Sequence, residues 1–474
     1  MSLWTADKFL EAVDGRASGP LGSDIEGVSI DSRTVKSGDA FFAVRGDRFD
    51  GHDYAGAALA SGAVASVVTE GRGSTSADAP GLLVEVADEP LRALERLGAA
   101  GRDRCAGRIL AVTGSVGKTS TKEMLRTAFS AFGVTHAPVG SFNNHWGVPL
   151  TLARMPAQTA YGIFEIGMNH PGEIRPLTAM VRPEVAIVTT VEPVHLWAFS
   201  GEEGIAEAKA EIFEGLQRGG TAILNRDNRW FDLLSKRARA RQARIISFGE
   251  SEDADVRLTS VALDQEGSNV EASVFRDTVA YRLRAPGRHM AANSLAVLAA
   301  AVALDADPAA AALTLEQFRP QKGRGDRLVL AHPAGAFTLI DESYNANPAS
   351  VRAALALLGQ AVPTGPGRRV AVLGDMRELG PTAPDLHRGL AQPLADAGTD
   401  LVFLVGPEMR WLWEHLPEAR RGAYAETGEE LEPILLESIG AGDVVVIKAS
   451  LGTRLGPLVE AIKSRFAPDT EVKR

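Results

Sequence analysis

The sequence predicts an α/β protein of three domains. Residues 1–105 form an N-terminal α/β unit. Residues 106–318 form a central parallel sheet of the P-loop ATPase kind, and residues 319–474 a Rossmann-like unit. Three observations carry this expectation. Short apolar runs alternate with helical stretches along most of the chain, the pattern of parallel sheets covered on both faces. One strand–turn–helix junction, residues 108–132, holds a glycine-rich phosphate loop. A length of 474 residues fits three domains at roughly 150 residues each.

Composition narrows the function. With 45% apolar and 23% charged residues, the chain can bury an ordinary globular core. A net charge of −10 argues against a nucleic-acid partner, which would need a basic excess. The single cysteine, Cys105, allows no internal disulfide and fits a reducing compartment. Met1–Asp7 has no basic stretch followed by an apolar one, so no signal peptide is expected. The most apolar stretch, 290–304, is mostly alanine and shorter than the roughly 20 residues a membrane span needs. A cytoplasmic protein with no membrane insertion is expected.

In the N-terminal unit, Val28–Ile30, Ala40–Val44 and Ala65–Thr69 read as strands, and Tyr54–Ala63 and Pro90–Ala100 as helices. Asp31-Ser32-Arg33, the polar run through Asp50-Gly51-His52, and residues 71–76 read as turns and loops.

The central unit opens with Ile109–Val112, a short apolar run suited to a buried strand. Gly114, Ser115, Val116, Gly117, Lys118, Thr119 and Ser120 follow, and then Met124, Leu125, Ala128 and Phe129 recur at helical spacing. Small residues let backbone N–H groups close around phosphate oxygens, and the helix N-terminus adds positive potential. Lys118 reaches the outer phosphates and the Thr119 hydroxyl suits Mg²⁺. Val112 stands where the general P-loop pattern has its first glycine. Further strands are expected at Gly162–Ile166, Val185–Thr189 and Thr221–Leu224, an antiparallel annex over 254–283, and a helix at His289–Ala303. Ligands gather at the carboxyl ends of such strands. The P-loop, Glu165 and His195 all fall there. A glutamate closing an apolar strand needs a partner or a metal.

The third unit alternates strands at Phe337–Ile340, Arg369–Leu373, Leu401–Val405 and Val444–Ile447 with helices at Ser350–Leu358, Asp385–Ala397 and Leu431–Ile439. It has no Gly-x-Gly-x-x-Gly after a strand, so no nicotinamide or flavin site is expected.

Together these motifs resemble the Mur ligase family, three-domain ATP-dependent amide-bond ligases. The resemblance rests on Thr113–Ser120, Ser141–Leu152, Phe164–Gly167, Glu192–Leu196, Ala206–Ile212, Asp341–Pro348 and Leu373–Gly380, with Asp31–Arg33 and Asp50–His52. The core Tyr344-Asn-Ala-Asn-Pro348 resembles the version in members that join D-Ala-D-Ala to UDP-N-acetylmuramoyl-tripeptide. The resemblance implies that ATP activates the tripeptide carboxylate as an acyl phosphate, which the dipeptide amine then attacks. That step sets a carboxylate against an anionic phosphate, at a cost of about 4 kcal/mol per unit-charge pair at 4 Å and an effective dielectric near 20. Cations are therefore required.

The resemblance assigns Lys118, Lys209, His195 and Arg324 to catalysis. It assigns Thr119, Glu165, His195 and Lys209 to two Mg²⁺ sites, with Lys209 carbamylated by CO₂. By itself Glu207-Ala-Lys209-Ala-Glu211 reads as an exposed charged helix. Asn293 is implied at the nucleotide base, Asp341 at the ribose, and Arg324 at the γ-phosphate. Tyr344, Asn345 and Asn347 would line the dipeptide or nucleotide side, Asn143 and Asn144 the tripeptide or phosphates, and Ser32, Arg33, Asp50 and His52 the uridine nucleotide. The first domain would then hold the UDP-substrate, the second ATP, and the third would close on ATP and D-Ala-D-Ala by hinge motion near 318–323. A monomer is expected. Met290 and the stretch 449–452 depart from the family pattern, leaving only Lys448 and Ser450 as counterparts there.

Overall fold

A computed structural model of the chain describes residues 2–73, 81–264 and 266–467. Residues 74–76 of the expected 71–76 loop lie outside them. Among the described residues three sheets form, and no helix is long and apolar enough to cross a membrane.

The first sheet runs in the order 15–17, 82–86, 65–69, 39–42, 27–29, and all its pairings are parallel except that of 15–17 with 82–86. The helix expected at 54–63 is shorter. A 3₁₀ turn, Gly51–Tyr54, precedes Ala55–Ala60, and Gly62 at φ +105° ends it. This unit sits firmly on the central one. The Trp4 indole donates to Ala153 O at 2.9 Å. Arg104 lies over the Trp4 ring and donates to Leu3 O and Met155 O. Arg154 donates to Val28 O at 2.6 Å.

The central sheet has nine strands. The P-loop strand, Arg108–Thr113, lies between Tyr161–Glu165 and Val185–Val188, all parallel. The chain leaves it towards opposite sides, which makes its carboxyl end the switch point where a crevice opens. Both faces are covered. Leu110 and Val112 pack with Met124, Phe129 and helix Arg288–Ala303, while Ile109 and Ala111 pack with Val148, Phe164 and Ile205. That alternation of two apolar faces is why the strand reads as an unbroken apolar run. Strands 256–263, 268–274 and 277–283 form the expected antiparallel annex.

Helix Gly147–Ala153 falls where only a substrate-side loop was expected. All seven residues are buried, so no polar face marks a period.

The third sheet runs 326–332, 335–342, 444–448, 369–374, 401–405, 421–425 and is parallel apart from its first pair. The helix expected at 385–397 is two, Ala383–Arg388 and Ala391–Asp396. Pro393 sits in the first turn of the second, where its missing N–H leaves no bond unmade.

Phe129 anchors the P-loop helix. It is fully buried, with its ring 4.8 Å from Tyr161 and 6.0 Å from Phe132. Phe129→Ala should cost about 3–5 kcal/mol, read as a fall in the urea midpoint of the central domain.

Candidate active site

The P-loop is wired to the segment that follows the neighbouring strand. Ser115 N–H donates to Thr190 O at 2.8 Å. Ser115 Oγ donates to Glu192 O at 3.1 Å and accepts from Glu192 N at 2.9 Å. Thr189 Oγ1 donates to Val116 O at 2.5 Å. Sequence reasoning missed Thr189 and Thr190, whose only signal is a threonine pair directly after an apolar strand. Gly114 adopts φ +149°, and a Cβ there would collide with Thr189 Oγ1. Gly117, at φ +84°, carries the Asn293 amide against it, 2.8 Å from where a Cβ would stand. Asn293 therefore lies beside the loop. Ser120 continues the first turn of the helix that Lys118 opens.

Lys118 Nζ donates to Gly114 O at 2.6 Å. Burial pulls its pKa down and so does Arg324, while Glu165 works the other way. Thr119 Oγ1 is 3.2 Å from Ser141 Oγ, which also accepts from Arg324 Nη2 at 3.1 Å. The Arg324 guanidinium lies over the Tyr344 ring, 4.2 Å from its centre. The arginine from the third unit thus reaches the P-loop neighbourhood.

A buried lysine missed by the sequence reading supports this junction. Lys122 is fully buried and donates to Pro138 O and Gly140 O, each at 2.9 Å, and to Glu123 at 2.5 Å. Gln321 Nε2 donates to the same Glu123 oxygen at 2.7 Å. One node thus ties the P-loop helix, the Ser141 loop and the interdomain linker together.

Glu165 is 1% exposed. Its Oε1 accepts from Asn143 Nδ2 at 2.7 Å, while Oε2 is buried with no hydrogen-bond partner. An orphaned buried carboxylate oxygen is costly unless something positive faces it. Lys209 is 2% exposed and, among the described residues, makes no hydrogen bond or ion pair. The exposed helix suggested by its neighbours is therefore wrong. Ala206, Ala208 and Ala210 are buried around it and let the helix Glu202–Ala210 pack closely. Burial drives the Lys209 pKa well down, and the Lys118 charge pushes the same way.

His195, at φ +54°, turns its ring towards the third unit, with Nδ1 2.5 Å from Glu378 Oε2. Glu378 is held below the ordinary carboxylate range by the His195 contact, against burial. Among the described residues, no group of three or more His, Cys, Asp or Glu side chains is spaced to hold a metal. A cation here would have to draw on Thr119 and Lys209 as well as Glu165 and His195.

Asp341 is buried. Its Oδ1 accepts from Ser343 N and Oγ, and Oδ2 has no hydrogen bond, with Lys463 Nζ 3.8 Å away. Several expected contact residues carry structural duties. Asn144 Oδ1 accepts from Trp146 N and Gly147 N at the start of a helix. Asn347 caps helix Pro348–Gln360 through Ser350. The Asn345 carbonyl accepts from Lys448 Nζ at 2.9 Å.

In the first unit, Asp50 accepts from His52 Nδ1 at 2.6 Å and from Arg72 at 2.8 Å. Burial works against its ionisation, but these bonds outweigh it and keep the carboxyl below its usual range. The other His52 nitrogen accepts from Thr69 N–H at 3.1 Å, so the buried ring is fully engaged. Arg33 is exposed and paired with Asp31, and Ser32 opens the 3₁₀ turn Ser32–Thr34. These four residues are not part of the crevice assembled around the P-loop.

Three sequence-family profiles match the chain. Their descriptions are "Mur ligase family, catalytic domain" over residues 24–95, "Mur ligase middle domain" over 112–301 and "Mur ligase, glutamate ligase domain" over 323–451. The UDP-N-acetylmuramoyl-tripeptide–D-alanyl-D-alanine ligase of Rickettsia prowazekii is 32% identical over 434 residues, 91% of this chain and 94% of that protein. The chain belongs to the Mur ligase family. Within the family, the enzyme of the same name from Escherichia coli K12 is 35% identical over 82% of this chain and 83% of its own length. The crystal structure of MurF from Acinetobacter baumannii superposes with a TM-score of 0.82 at 31% identity, covering 97% of this chain and 99% of that one. MurF from Thermotoga maritima, solved with ADP, gives 0.75 at 25% identity over 93% and 97%.

Gly114→Ala should abolish nucleotide binding, because a methyl group at that φ displaces Thr189 and with it the loop. Titration of the purified variant with a fluorescent ATP analogue checks this.

Proposed function

We propose that the chain joins D-Ala-D-Ala to UDP-N-acetylmuramoyl-tripeptide at the expense of ATP. The products are the UDP-muramoyl-pentapeptide, ADP and phosphate, in the synthesis of peptidoglycan precursors in the cytoplasm. The acting unit is a monomer. The observation that carries this is the meeting of Lys118, Arg324, Glu165 and Lys209 at the carboxyl end of the P-loop strand. The choice of substrates follows the relatives, 29–35% identical and bearing this name, with the Tyr344–Pro348 stretch in support.

The P-loop amides and Lys118 bind the phosphates of ATP, with Asn293 beside the base and Asp341 at the ribose. Arg324 brings a second cation from the third domain, and Tyr344 beneath it fixes the plane of the guanidinium. These charges offset the repulsion between the tripeptide carboxylate and the γ-phosphate, so the carboxylate oxygen attacks phosphorus in line and ADP leaves. The dipeptide amine then attacks the acyl carbon, and phosphate departs. Asn143, Asn144, Tyr344, Asn345 and Asn347 border the reacting ends. Ser32, Arg33, Asp50 and His52 mark the uridine end of a first domain spanning 1–105.

The donor set suits Mg²⁺. Among the described residues Glu165 Oε2 lacks a hydrogen-bond partner, Thr119 offers a hydroxyl, and Lys209 is buried with no hydrogen bond or ion pair. When bound, Mg²⁺ would supply charge to the phosphate oxygens. Carbamylation requires the neutral amine, which burial favours here. The carbamate would turn Lys209 from a buried ammonium into an oxygen ligand.

The following outcomes are expected. Phosphate release from ATP should require both tripeptide and D-Ala-D-Ala, with the pentapeptide found by mass. Steady hydrolysis indifferent to both would refute the ligase assignment. Lys209→Ala should lower turnover at least about a hundredfold. In the wild type, activity should fall as pH drops through the depressed Lys209 pKa, because protonation removes the CO₂-reactive amine. Added bicarbonate should restore part of the loss, as read by phosphate release in CO₂-depleted buffer.

A further inference from the structure

We propose that Glu123 is a positioning residue for Arg324: it holds Gln321 of the interdomain linker and so sets where the arginine of the third domain meets the P-loop. This rests on the reading of Arg324 as a γ-phosphate contact made above, and names the group that aims it. Thr119 and Glu123 stand one turn apart on the same face of the P-loop helix. Thr119 faces Ser141, which accepts from Arg324 Nη2. Glu123 faces the turn from which Arg324 projects.

Glu123 is 7% exposed and held on both oxygens. Oε1 accepts from Gln321 Nε2 at 2.7 Å and from Lys122 Nζ at 2.5 Å, and Oε2 accepts from Arg126 Nε at 2.8 Å. Three bonds leave the carboxylate little freedom to turn. Lys122 is the anchor. Its other two hydrogens go to Pro138 O and Gly140 O, each at 2.9 Å. Those carbonyls lie in a stretch with neither helix nor strand, and Gly140 leads directly into Ser141. One buried lysine therefore holds both Glu123 and the loop that carries Ser141. A buried ion pair often adds little net stability over an apolar pair of the same volume, so its consequence here is geometry.

The turn itself belongs to the third domain. Arg324 N–H donates to Gln321 O at 2.9 Å and closes it. Tyr344 N–H donates to Gly323 O at 3.1 Å, and Gly325 N–H to Asp341 O at 2.9 Å. Gly323 adopts φ +75°, and a Cβ there would stand 3.0 Å from Tyr344 Cβ, so the turn lies close against the residue on which Arg324 stacks. Phe318, by contrast, is buried in the core of the central domain, and Arg319 Nη1 is turned back onto Glu316 O and Phe318 O. Pro320 separates the two attachments. Rotation of the backbone over 319–321 would swing Arg324 away from Ser141, and the bond from Gln321 to Glu123 opposes it beside the linker.

The test compares the affinity of the full-length protein for ADP with that for a non-hydrolysable ATP analogue, by calorimetry in Mg²⁺ buffer. The variants are Arg324→Ala, Gln321→Ala, Gln321→Glu and the double exchange of Gln321→Glu with Glu123→Gln, with kcat measured alongside. Gln321→Ala should weaken the analogue and lower kcat about tenfold, the size of effect a slightly misplaced contact produces, while ADP affinity stays unchanged. Gln321→Glu should do more, because it sets carboxylate against carboxylate. The double exchange swaps donor and acceptor across the contact and should recover most of the loss. Wild-type analogue affinity and kcat in both single Gln321 variants, alongside an impaired Arg324→Ala, would overturn the positioning role and leave Arg324 a phosphate contact. Unchanged analogue binding in Arg324→Ala would overturn both. Equal losses for ADP and analogue, or a double exchange no better than Gln321→Glu, would make the contact merely structural and overturn the proposal.

Discussion

Positive charge gathered in one crevice is the constraint on which this structure depends. Lys118 lies within electrostatic reach of both Arg324 and Lys209, and the carboxylate coupled to it, Glu165, is bonded on one oxygen only. Buried like charges repel, and desolvation adds to the cost. Lys209 meets that cost by favouring its neutral form. The same surplus of positive potential is what an anionic nucleotide and a carboxylate need in order to approach each other.

The fold divides the labour of building that crevice. The central sheet supplies the P-loop at its switch point and stiffens it with Thr189, Thr190 and Ser115. The first unit is bolted to the buried helix Gly147–Ala153 and its flanks through Trp4, Arg104 and Arg154. The third reaches the crevice through side chains: Gln321 to Glu123, Arg324 to Ser141, and Glu378 to His195. A few polar contacts of this kind can be broken and remade at small cost, whereas the packing under the first unit cannot. This difference fits hinge motion near 318–323.

Much of this was legible in the sequence because strands buried on both faces leave continuous apolar runs. The P-loop strand and Glu165 at a strand end follow from such runs, the P-loop helix from its helical spacing, and the antiparallel annex from alternating buried and exposed residues. Strands 15–17, 326–332 and 421–425 did not stand out, since their partly exposed residues break the runs. The burial of Lys209 was invisible locally, because flanking glutamates and alanines look the same on a solvated helix as on one packed tightly through alanine. Asn144 and Asn347, expected as ligand contacts, also hold the starts of helices, a duty that the same side chain can signal. The Glu378 contact joins distant segments, and no spacing rule could place it.

The most direct test of the charge arrangement is carbon NMR of the protein equilibrated with ¹³C-bicarbonate. A single lysine carbamate resonance is expected in the wild type, retained with nucleotide bound and missing in Lys209→Arg. A wild-type spectrum with no carbamate, or one that survives in Lys209→Arg, would contradict a neutral, reactive Lys209 at the centre of the crevice.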